Sequence, residues 1–340
     1  MLQGSQSWKF VNEPVILSTG VVGGPFEAKG NVTKDFDHLF SDVWMAETTF
    51  EKAQTRLFEE ASYTALSKIN KKPQDMQFLF AGDLINQITA TSFACRTLSI
   101  PYFGLFGACS TSMEGLALSS FIVDKGGADY ILTGTASHNA ATEKQFRYPN
   151  EYGAQKPPTA QWTVTGSGTA VIGKSGAGPV VTSATIGKIM DLGVTDPFNM
   201  GAAMAPAAAD TIEAHFTDFD LDPSYYDYIV TGDLGEIGLP LMKDLLQQRG
   251  IMVTDAQCLD CGLLIYKSEQ EEVQAGGSGT GCSAVVVYGH LLNRLKNQEF
   301  TRMLVVATGA LHSPLSVQQD ETIPCIAHAV SIEMKGVGNL

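Results

Sequence analysis

The feature that most constrains the fold of this chain is an internal repeat. "FLFAGDLINQ" begins at Phe78 and "YIVTGDLGEI" begins at Tyr228, and each is an apolar run that leads into Gly-Asp-Leu. A second pair follows in the same order, because "YILTGTASH" from Tyr130 and "LVVATGALH" from Leu304 both contain Thr-Gly and end in a histidine. Two ordered matches between elements of the same type indicate a duplicated α/β unit rather than a chance similarity.

Strands and helices are predicted to alternate within the first copy of the repeat. Residues 77–83, 102–108 and 128–136 are short apolar runs typical of strands, whereas residues 84–99 and 110–124 have the apolar spacing of helices. This alternation predicts an α/β fold in which strands pair in parallel and helices cover the faces of the sheet.

The repeat divides the chain into two predicted halves. The helix at 110–124 has a counterpart in "CSAVVVYGHLLNRL" at 282–295, and the stretch "GKSGAGP" at 173–179 is typical of a connector. We predict an N-terminal half over residues 1–175 and a C-terminal half over residues 176–340. Two fused units of this size are expected to pack as one body.

Charge and hydropathy limit the partners of the chain. Its 36 acidic and 22 basic residues give a formal net charge of −14 at pH 7. Such a charge argues against binding to nucleic acid or to an anionic membrane surface. The sequence has no charged and apolar leader typical of a secretory signal, and no apolar run near the ~20 residues of a membrane span. We therefore expect any membrane location to depend on partner proteins.

The six cysteines are expected to be reduced thiols, since no secretion signal is recognised. Cys258-Leu-Asp-Cys261 is a CxxC pair, but no second pair or nearby histidines complete a zinc set. We favour two partly buried thiols, with a metal or redox role as the alternative, and predict no metal. No cofactor is predicted either, because the glycine-rich run 277–281 lacks the Lys-Ser/Thr of a phosphate-binding Walker loop.

A lone thiol, Cys109, lies between a strand-like run and the helix at 110–124. Thr111 and Glu114 have the spacing of a capping box, which predicts a helix start near Thr111. The free N–H groups and dipole of that helix are expected to favour a thiolate, and strand-to-helix elbows expose nucleophiles in this way. We interpret Cys109 as a residue that lines a pocket; the alternative is a small buried residue in a tight turn.

The residues around this thiol resemble those of a known superfamily. "GACSTSMEGLAL" is similar to the active-site cysteine motif of the thiolase superfamily, above all its ketoacyl synthase III branch, and "TVTGSGTAVIG" at 163–173 is similar to its glycine-rich strand. More narrowly, "EKQFRYPNEYGAQKPPTAQWTVTGSGTAVIG" and "GVTDPFNMGAAMAPAAADTI" resemble the stage V sporulation protein AD family. The resemblance covers nearly the whole chain.

This resemblance carries expectations about fold and function. It implies a thiolase-like duplicated fold, with two pseudo-symmetric βαβαβαββ halves in a five-layer α-β-α-β-α arrangement. It also implies binding of dipicolinic acid (pyridine-2,6-dicarboxylate), as the free acid or its calcium chelate, and uptake into the developing spore. The protein is then expected at the inner spore membrane, held peripherally by the other subunits of the uptake complex. A homodimer paired through the strand near "YILTG" is the expectation for this superfamily.

The sequence departs from the condensing enzymes of the superfamily, which use a cysteine with a histidine and an asparagine that stabilise an oxyanion. The turn where the histidine is expected reads Gly232-Asp233, and the run 277–281 has no asparagine. Loss of one oxyanion donor costs about 3 kcal/mol of transition-state stabilisation. We therefore predict a non-catalytic protein in which Cys109 is a vestigial nucleophile. The alternative is an acyl-transfer or condensing enzyme that uses Cys109 with His138 or His312 as base.

A dianionic ligand needs hydrogen-bond donors for two carboxylates. The polar segment 139–162, interpreted as a long ordered loop that covers the site, carries Lys144, Arg147 and Lys156, and Arg147 is the first choice for a bidentate contact. The alternative is a solvated loop whose cations are balanced by its own glutamates. The predicted ligand-binding set is Cys109, Ser110, His138, Arg147, Lys156, Gly232, Asp233 and His312.

Three parts of this set have separate arguments. Cys109 and Ser110 are expected to offer N–H groups at the start of a helix. His138 and His312 end matching strands of the two halves, and strand ends of this kind face one cleft, although a lone histidine is more often a structural hydrogen-bonding residue. An acidic wall containing Asp233 and Asp196 is expected to repel a dianion unless calcium bridges them.

Overall fold

The computed structural model describes residues 1–146, 156–270 and 272–334. Up to residue 173 the elements are β1 (Leu2–Gln3), β2 (Ser7–Lys9), β3 (Val15–Gly23), β4 (His38–Leu39), α1 (Phe50–Ser67), β5 (Phe78–Gly82), α2 (Thr89–Leu98), β6 (Tyr102–Gly104), α3 (Thr111–Asp124), β7 (Tyr130–Ser137), α4 (Asn139–Phe146), β8 (Trp162–Thr163) and β9 (Gly166–Gly173).

The rest of the described chain repeats this plan with fewer insertions. Its elements are β10 (Val180–Ile186), α5 (Met200–Phe219), β11 (Tyr228–Thr231), α6 (Gly235–Gln248), β12 (Cys258–Asp260), α7 (Cys261–Ile265), β13 (Gly277–Ser278), α8 (Thr280–Val285), a π-helical turn (Val286–Leu291), α9 (Leu292–Lys296), β14 (Arg302–Ala310), α10 (Pro314–Gln318) and β15 (Cys325–Glu333).

The two halves build sheets with the same strand order. The first is β3-β9-β7-β5-β6 and the second is β10-β15-β14-β11-β12, and they meet at the pair Val15 and Val180. In both sheets the last three strands are parallel and the other neighbours are antiparallel. The predicted duplication is therefore present in the pairing of the strands as well as in the sequence.

Helices separate and cover the two sheets. Helix α3 contacts β5, β7 and β9 of the first sheet and β10, β14 and β15 of the second, so it lies between them. Helix α8 packs against β7 and β9 beside α3, whereas α1 covers the first sheet and α5 and α6 pack over the second. The order is α-β-α-β-α, and the middle layer is buried on all sides, which explains why α3 carries fully buried Met113 and Leu116.

Three local expectations are corrected by the structure. The helix predicted over 84–99 begins at Thr89, because Gln87 and Ile88 have left-handed backbone with φ of 55° and 48°. The segment 139–162, predicted as a loop, begins with helix α4. Strand β7, which carries "YILTG", is paired with β5 on one side and β9 on the other, so it offers no free edge for a second chain.

The continuous helix made by α8, the π turn and α9 corresponds to the predicted helix at 282–295. Within its π turn, Gly289 packs so closely against the carbonyl of Asp35 that a Cβ atom would lie 2.8 Å from that oxygen. Over the described ranges, no helix has both the length and the apolar composition that crossing a bilayer requires.

Candidate functional site

A narrow cavity of about 40 Å³ lies where the two halves meet. Cys109 lines it from the first half, and Ser278, Gly279 and His312 line it from the second, with Phe146 beside them. This volume holds a few water molecules at most. A flat ring with two carboxylates therefore enters only when lining side chains move aside.

The turn before α3 places Cys109 at this cavity. Ala108 has a left-handed backbone with φ of 47°, which is strained for a residue that carries a Cβ atom. The hydroxyl of Thr111 accepts a hydrogen bond from the N–H of Gly107 at 3.1 Å and donates to the carbonyl of Ala108 at 2.7 Å. These bonds hold the elbow, so the position of the thiol is set by the backbone rather than by its own contacts.

Helix α3 begins at Thr111, as predicted, but the capping box does not form. Ser110 is the N-cap residue, has α-helical backbone angles and makes no side-chain cap bond. The Oε2 atom of Glu114 is buried, and within the described residues it has no hydrogen-bond partner. Burial raises the pKa of Glu114 to about 7.

Asp233 is the centre of the polar contacts behind the cavity. It follows β11 and is 1% exposed. Its Oδ1 atom accepts a hydrogen bond from the hydroxyl of Thr308 at 2.8 Å, and its Oδ2 atom accepts from the hydroxyl of Ser278 at 2.8 Å and the N–H of Gly279 at 3.2 Å. Burial raises the pKa of Asp233 to about 6, and these donors limit the rise.

The carboxylate of Asp233 is close enough to the Cys109 thiol to act on it electrostatically. Burial and the negative charge of Asp233 together raise the pKa of Cys109 well above its ordinary value. The prediction that the helix N-terminus favours a thiolate is therefore wrong, because burial and a neighbouring carboxylate outweigh the helix dipole. The raised pKa of Cys109 favours the protonated thiol.

Gly232, next to Asp233, holds the place where the resemblance leads one to expect a histidine, and the run 277–281, which contains Ser278, is where it leads one to expect an asparagine. An ionised carboxylate has no proton to donate to an oxyanion. The hydroxyl of Ser278 and the N–H of Gly279 are donors, but both are already bonded to Asp233. The arrangement can hold a small polar group beside a thiol, and it lacks the charge that would activate that thiol.

The structure separates the predicted site residues into two groups. Cys109 and His312 line the cavity, and Asp233 bonds to the cavity residues Ser278 and Gly279. Gly232 lies beside Asp233, with its carbonyl 3.5 Å from the Sγ atom of Cys282. Ser110 is fully buried and its hydroxyl donates to the Gly107 carbonyl at 2.6 Å, so it does not line the cavity.

His138, the counterpart of His312 in the repeat, faces another part of the molecule. Its Nε2 atom lies 2.8 Å from the carbonyl of Val43, and its ring stacks on Phe50 at 5.3 Å. Burial lowers the pKa of His138, so it is neutral at pH 7. The ring of His312, by contrast, lies 5.3 Å from that of Phe146 in the cavity wall.

The cations of segment 139–162 are engaged with acidic and aromatic partners. Lys156 forms an ion pair with Glu143 at 3.4 Å, and its Nζ atom lies 4.6 Å from the centre of the Trp162 ring. Lys144 pairs with Glu51 of α1 at 2.8 Å on the surface. Arg147 lies outside the residues that the structure describes.

The cysteines of the CxxC pair are buried thiols, as are the other four. Within the described ranges, no group of three or more His, Cys, Asp and Glu side chains is placed to hold a metal ion. Sequence reasoning followed the thiols of this motif and missed the aspartate between them, Asp260, which is 2% exposed. It also missed Ser278, although a hydroxyl residue within a glycine-rich run is a recognisable signal for a side-chain hydrogen bond to a neighbouring group. Thr308, inside strand β14, was missed as well.

Comparison with known proteins identifies the family. The model of the family described as stage V sporulation protein AD matches residues 4–333. The chain is a member of that family. It is 49% identical over 335 residues to stage V sporulation protein AD of Bacillus subtilis (strain 168), and the match covers 98% of each sequence.

Solved structures similar to this member of the stage V sporulation protein AD family are enzymes of the thiolase-like fold. They include 3-oxoacyl-[acyl-carrier-protein] synthase III from Aquifex aeolicus, at 13% identity and TM-score 0.56 over 94% of this chain and 99% of that one. Xanthomonas campestris OleA bound with cerulenin has 13% identity and TM-score 0.60 over 94% and 96%. Human mitochondrial 3-ketoacyl-CoA thiolase has 11% identity and TM-score 0.59 over 96% and 100%. The fold is therefore thiolase-like, as predicted.

Proposed function

We propose that this protein binds dipicolinic acid, free or as its calcium chelate, in the cavity beside Cys109 and supports its uptake into the developing spore. Family membership makes it a sporulation protein. The observation that carries the proposal is the burial of Cys109 close to the buried carboxylate of Asp233, since both disfavour the thiolate that acyl transfer needs. A pocket with its nucleophile held protonated is suited to binding rather than to chemistry.

The polar wall of the cavity supports a polar ligand. His312 contributes an imidazole, and Ser278 and Gly279 line the cavity together with Cys109. Asp233 is already surrounded by Thr308, Ser278 and Gly279, so a calcium ion brought with the ligand would keep the oxygens of the chelate rather than bind this carboxylate.

The proposal includes a membrane-associated complex. The net charge of −14 disfavours direct binding to anionic lipid, so other subunits of the uptake complex are the proposed link to the inner spore membrane. We also propose a homodimer, paired through β6 instead of β7. Strand β6 ends the first sheet, and Phe103 within it is 49% exposed. Its unpaired backbone groups can pair with a second copy.

Calorimetric titration of the purified protein with dipicolinate tests the ligand. Isophthalate, which has the same two carboxylates without the ring nitrogen, and picolinate, which lacks one carboxylate, are matched control ligands. Saturable binding at one site per chain, tighter for dipicolinate than for both controls, is expected. Cys109→Ala should weaken dipicolinate binding, whereas Cys95→Ala, which removes a buried thiol of α2, should leave it unchanged.

Incubation with acetyl-coenzyme A, followed by mass spectrometry of the Cys109 peptide, tests the alternative of acyl transfer. We expect no acetyl group on Cys109. Stable acetylation, or condensation with a malonyl thioester at an ordinary enzymatic rate of ~1 per second or more, would replace the binding proposal with an enzymatic one. Failure of dipicolinate to bind, with no acylation, would contradict both.

A further inference from the structure

The turn that carries Asp233 is held by a second buried carboxylate. Asp260 ends β12, the strand next to β11 in the sheet. Its Oδ2 atom accepts hydrogen bonds from the hydroxyl of Thr231 at 2.7 Å and the N–H of Leu234 at 2.8 Å, and its Oδ1 atom accepts from the N–H of Gly235 at 3.1 Å. These donors lie on both sides of Asp233 along the chain.

Asp260 is also bonded to the helix that follows it. Its Oδ1 atom accepts from the N–H of Leu263 at 3.2 Å, so it caps the first turn of α7. Four donors therefore meet at one buried carboxylate; burial raises the pKa of Asp260, and these hydrogen bonds limit the rise. An amide in its place would turn an NH₂ group toward donors that have nothing to accept.

The first half provides a comparison for Asp233 and its turn. Asp83 holds the place in the repeat that Asp233 holds in the second half. Its carboxylate accepts from the N–H of Ile85 at 2.8 Å, and from the N–H and hydroxyl of Thr91 at 2.8 and 2.6 Å. Asp83 therefore binds its own turn and helix α2.

We infer that Asp260 is a positioning residue of the Cys109 cavity. Because Asp260 binds the N–H groups of Leu234 and Gly235, the carboxylate of Asp233 is left to bond with Ser278 and Gly279, which line the cavity with Cys109. Asp260, between the two cysteines of the CxxC motif, is therefore the residue of that motif that holds the turn carrying Asp233. The part of this inference that concerns ligand affinity rests on the proposed function, whereas the part that concerns the Cys109 thiol does not.

The experiment compares Asp260→Asn with Asp83→Asn, which removes a buried carboxylate of the same chemistry from the other half. Both variants and the parent are treated with iodoacetamide between pH 7 and pH 10, and alkylation of Cys109 is followed by mass spectrometry of its peptide. We expect Asp260→Asn to alkylate roughly tenfold faster at pH 8, because Asp233 no longer stays against the thiol. Asp83→Asn should stay within about twofold of the parent.

Thermal unfolding of both variants separates positioning from general loosening. If Cys109 reacts no faster in Asp260→Asn than in an equally destabilised Asp83→Asn protein, the inference is wrong. If Asp260→Asn does not fold, Thr231→Val removes one donor at similar side-chain size and should raise the alkylation rate about threefold. An unchanged rate in Thr231→Val would then overturn the inference.

Dipicolinate titration of the same variants keeps the two proposals distinguishable. If the parent binds dipicolinate, Asp260→Asn should bind it about tenfold more weakly, whereas Asp83→Asn should bind as the parent does. If the parent does not bind dipicolinate, the proposed function fails, and the alkylation rates still decide whether Asp260 positions Asp233.

Discussion

The first half places Asp83 after β5 and the second half places Asp233 after β11, yet the two carboxylates have different partners. Asp83 bonds to its own turn and to Thr91 of α2. Asp233 bonds to Ser278 and Thr308 behind the cavity, and its charge acts on the thiol of Cys109. A duplicated motif can therefore serve the local structure in one copy and a site in the other.

The paired histidines differ in the same way. His138 lies against Val43 and Phe50 of the first half, whereas His312 faces the cavity beside Phe146. Helix α4 follows β7 immediately and carries Phe146, whereas the shorter helix α10 follows β14 in the second half. The segment between β7 and β9 therefore contributes lining residues to the cavity, among them Phe146 and Thr163.

Replacement of the two repeat aspartates should produce the largest difference. Asp233→Asn removes a buried charge beside Cys109, so the pKa of the thiol should fall. A pKa lower by one raises the thiolate fraction about tenfold, and we expect alkylation of Cys109 at pH 8 to rise by that factor or more. Asp83→Asn should leave it unchanged. Equal rates in the two variants, measured by peptide mass spectrometry, would remove the distinction between the halves.

Replacement of the two histidines should have opposite consequences. His312→Ala should weaken dipicolinate binding about tenfold with little loss of stability, since this ring borders the cavity. His138→Ala should leave the affinity unchanged and lower the free energy of unfolding by about 1–3 kcal/mol, because it empties a buried hydrogen-bonded position. Calorimetry and urea unfolding provide the two measurements, and the comparison fails if His138→Ala is the variant that loses affinity.

Asp83 should also make stability depend on pH. Its pKa is about 6 in the folded protein against an ordinary value of 3.8, so the folded state binds the proton more tightly. Stability from this group is complete below the ordinary value and is lost as the pH rises through the folded one. The difference in unfolding free energy between the parent and Asp83→Asn should therefore fall by about 1–2 kcal/mol from pH 5 to pH 8. A difference that grows over this range contradicts the raised pKa.

The smallest effect is expected for a lysine of the insertion. Lys144 forms an exposed ion pair with Glu51, and its side chain is 61% exposed. Lys144→Met should therefore change the unfolding free energy by less than about 1 kcal/mol and leave dipicolinate binding as it is. Lys156→Met, which removes a half-buried pair with Glu143 and the contact with Trp162, should have the larger effect on stability. A loss of dipicolinate affinity in Lys144→Met would instead indicate that this lysine contacts the ligand.

Much of the fold follows from local sequence patterns. Apolar runs that end in Gly-Asp-Leu or Thr-Gly recur in both halves, and they became β5, β11, β7 and β14 in matching sheets. The start of α3 at Thr111 was likewise predictable, because glycine and small hydroxyl residues precede an apolar helical run. Such features depend on neighbours in the chain, which a sequence displays directly.

The sequence by itself determined the duplicated fold, the elbow at Cys109, and the absence of histidine and asparagine from the expected turns. The tertiary structure decided that Asp233 faces the thiol and raises its pKa, that Asp260 holds the turn, and that His138 faces away from the cavity. The physical reason is that a pKa and a hydrogen-bond partner depend on groups distant in the chain. Cys109 and Asp233 meet only after both halves have folded around the same central helices.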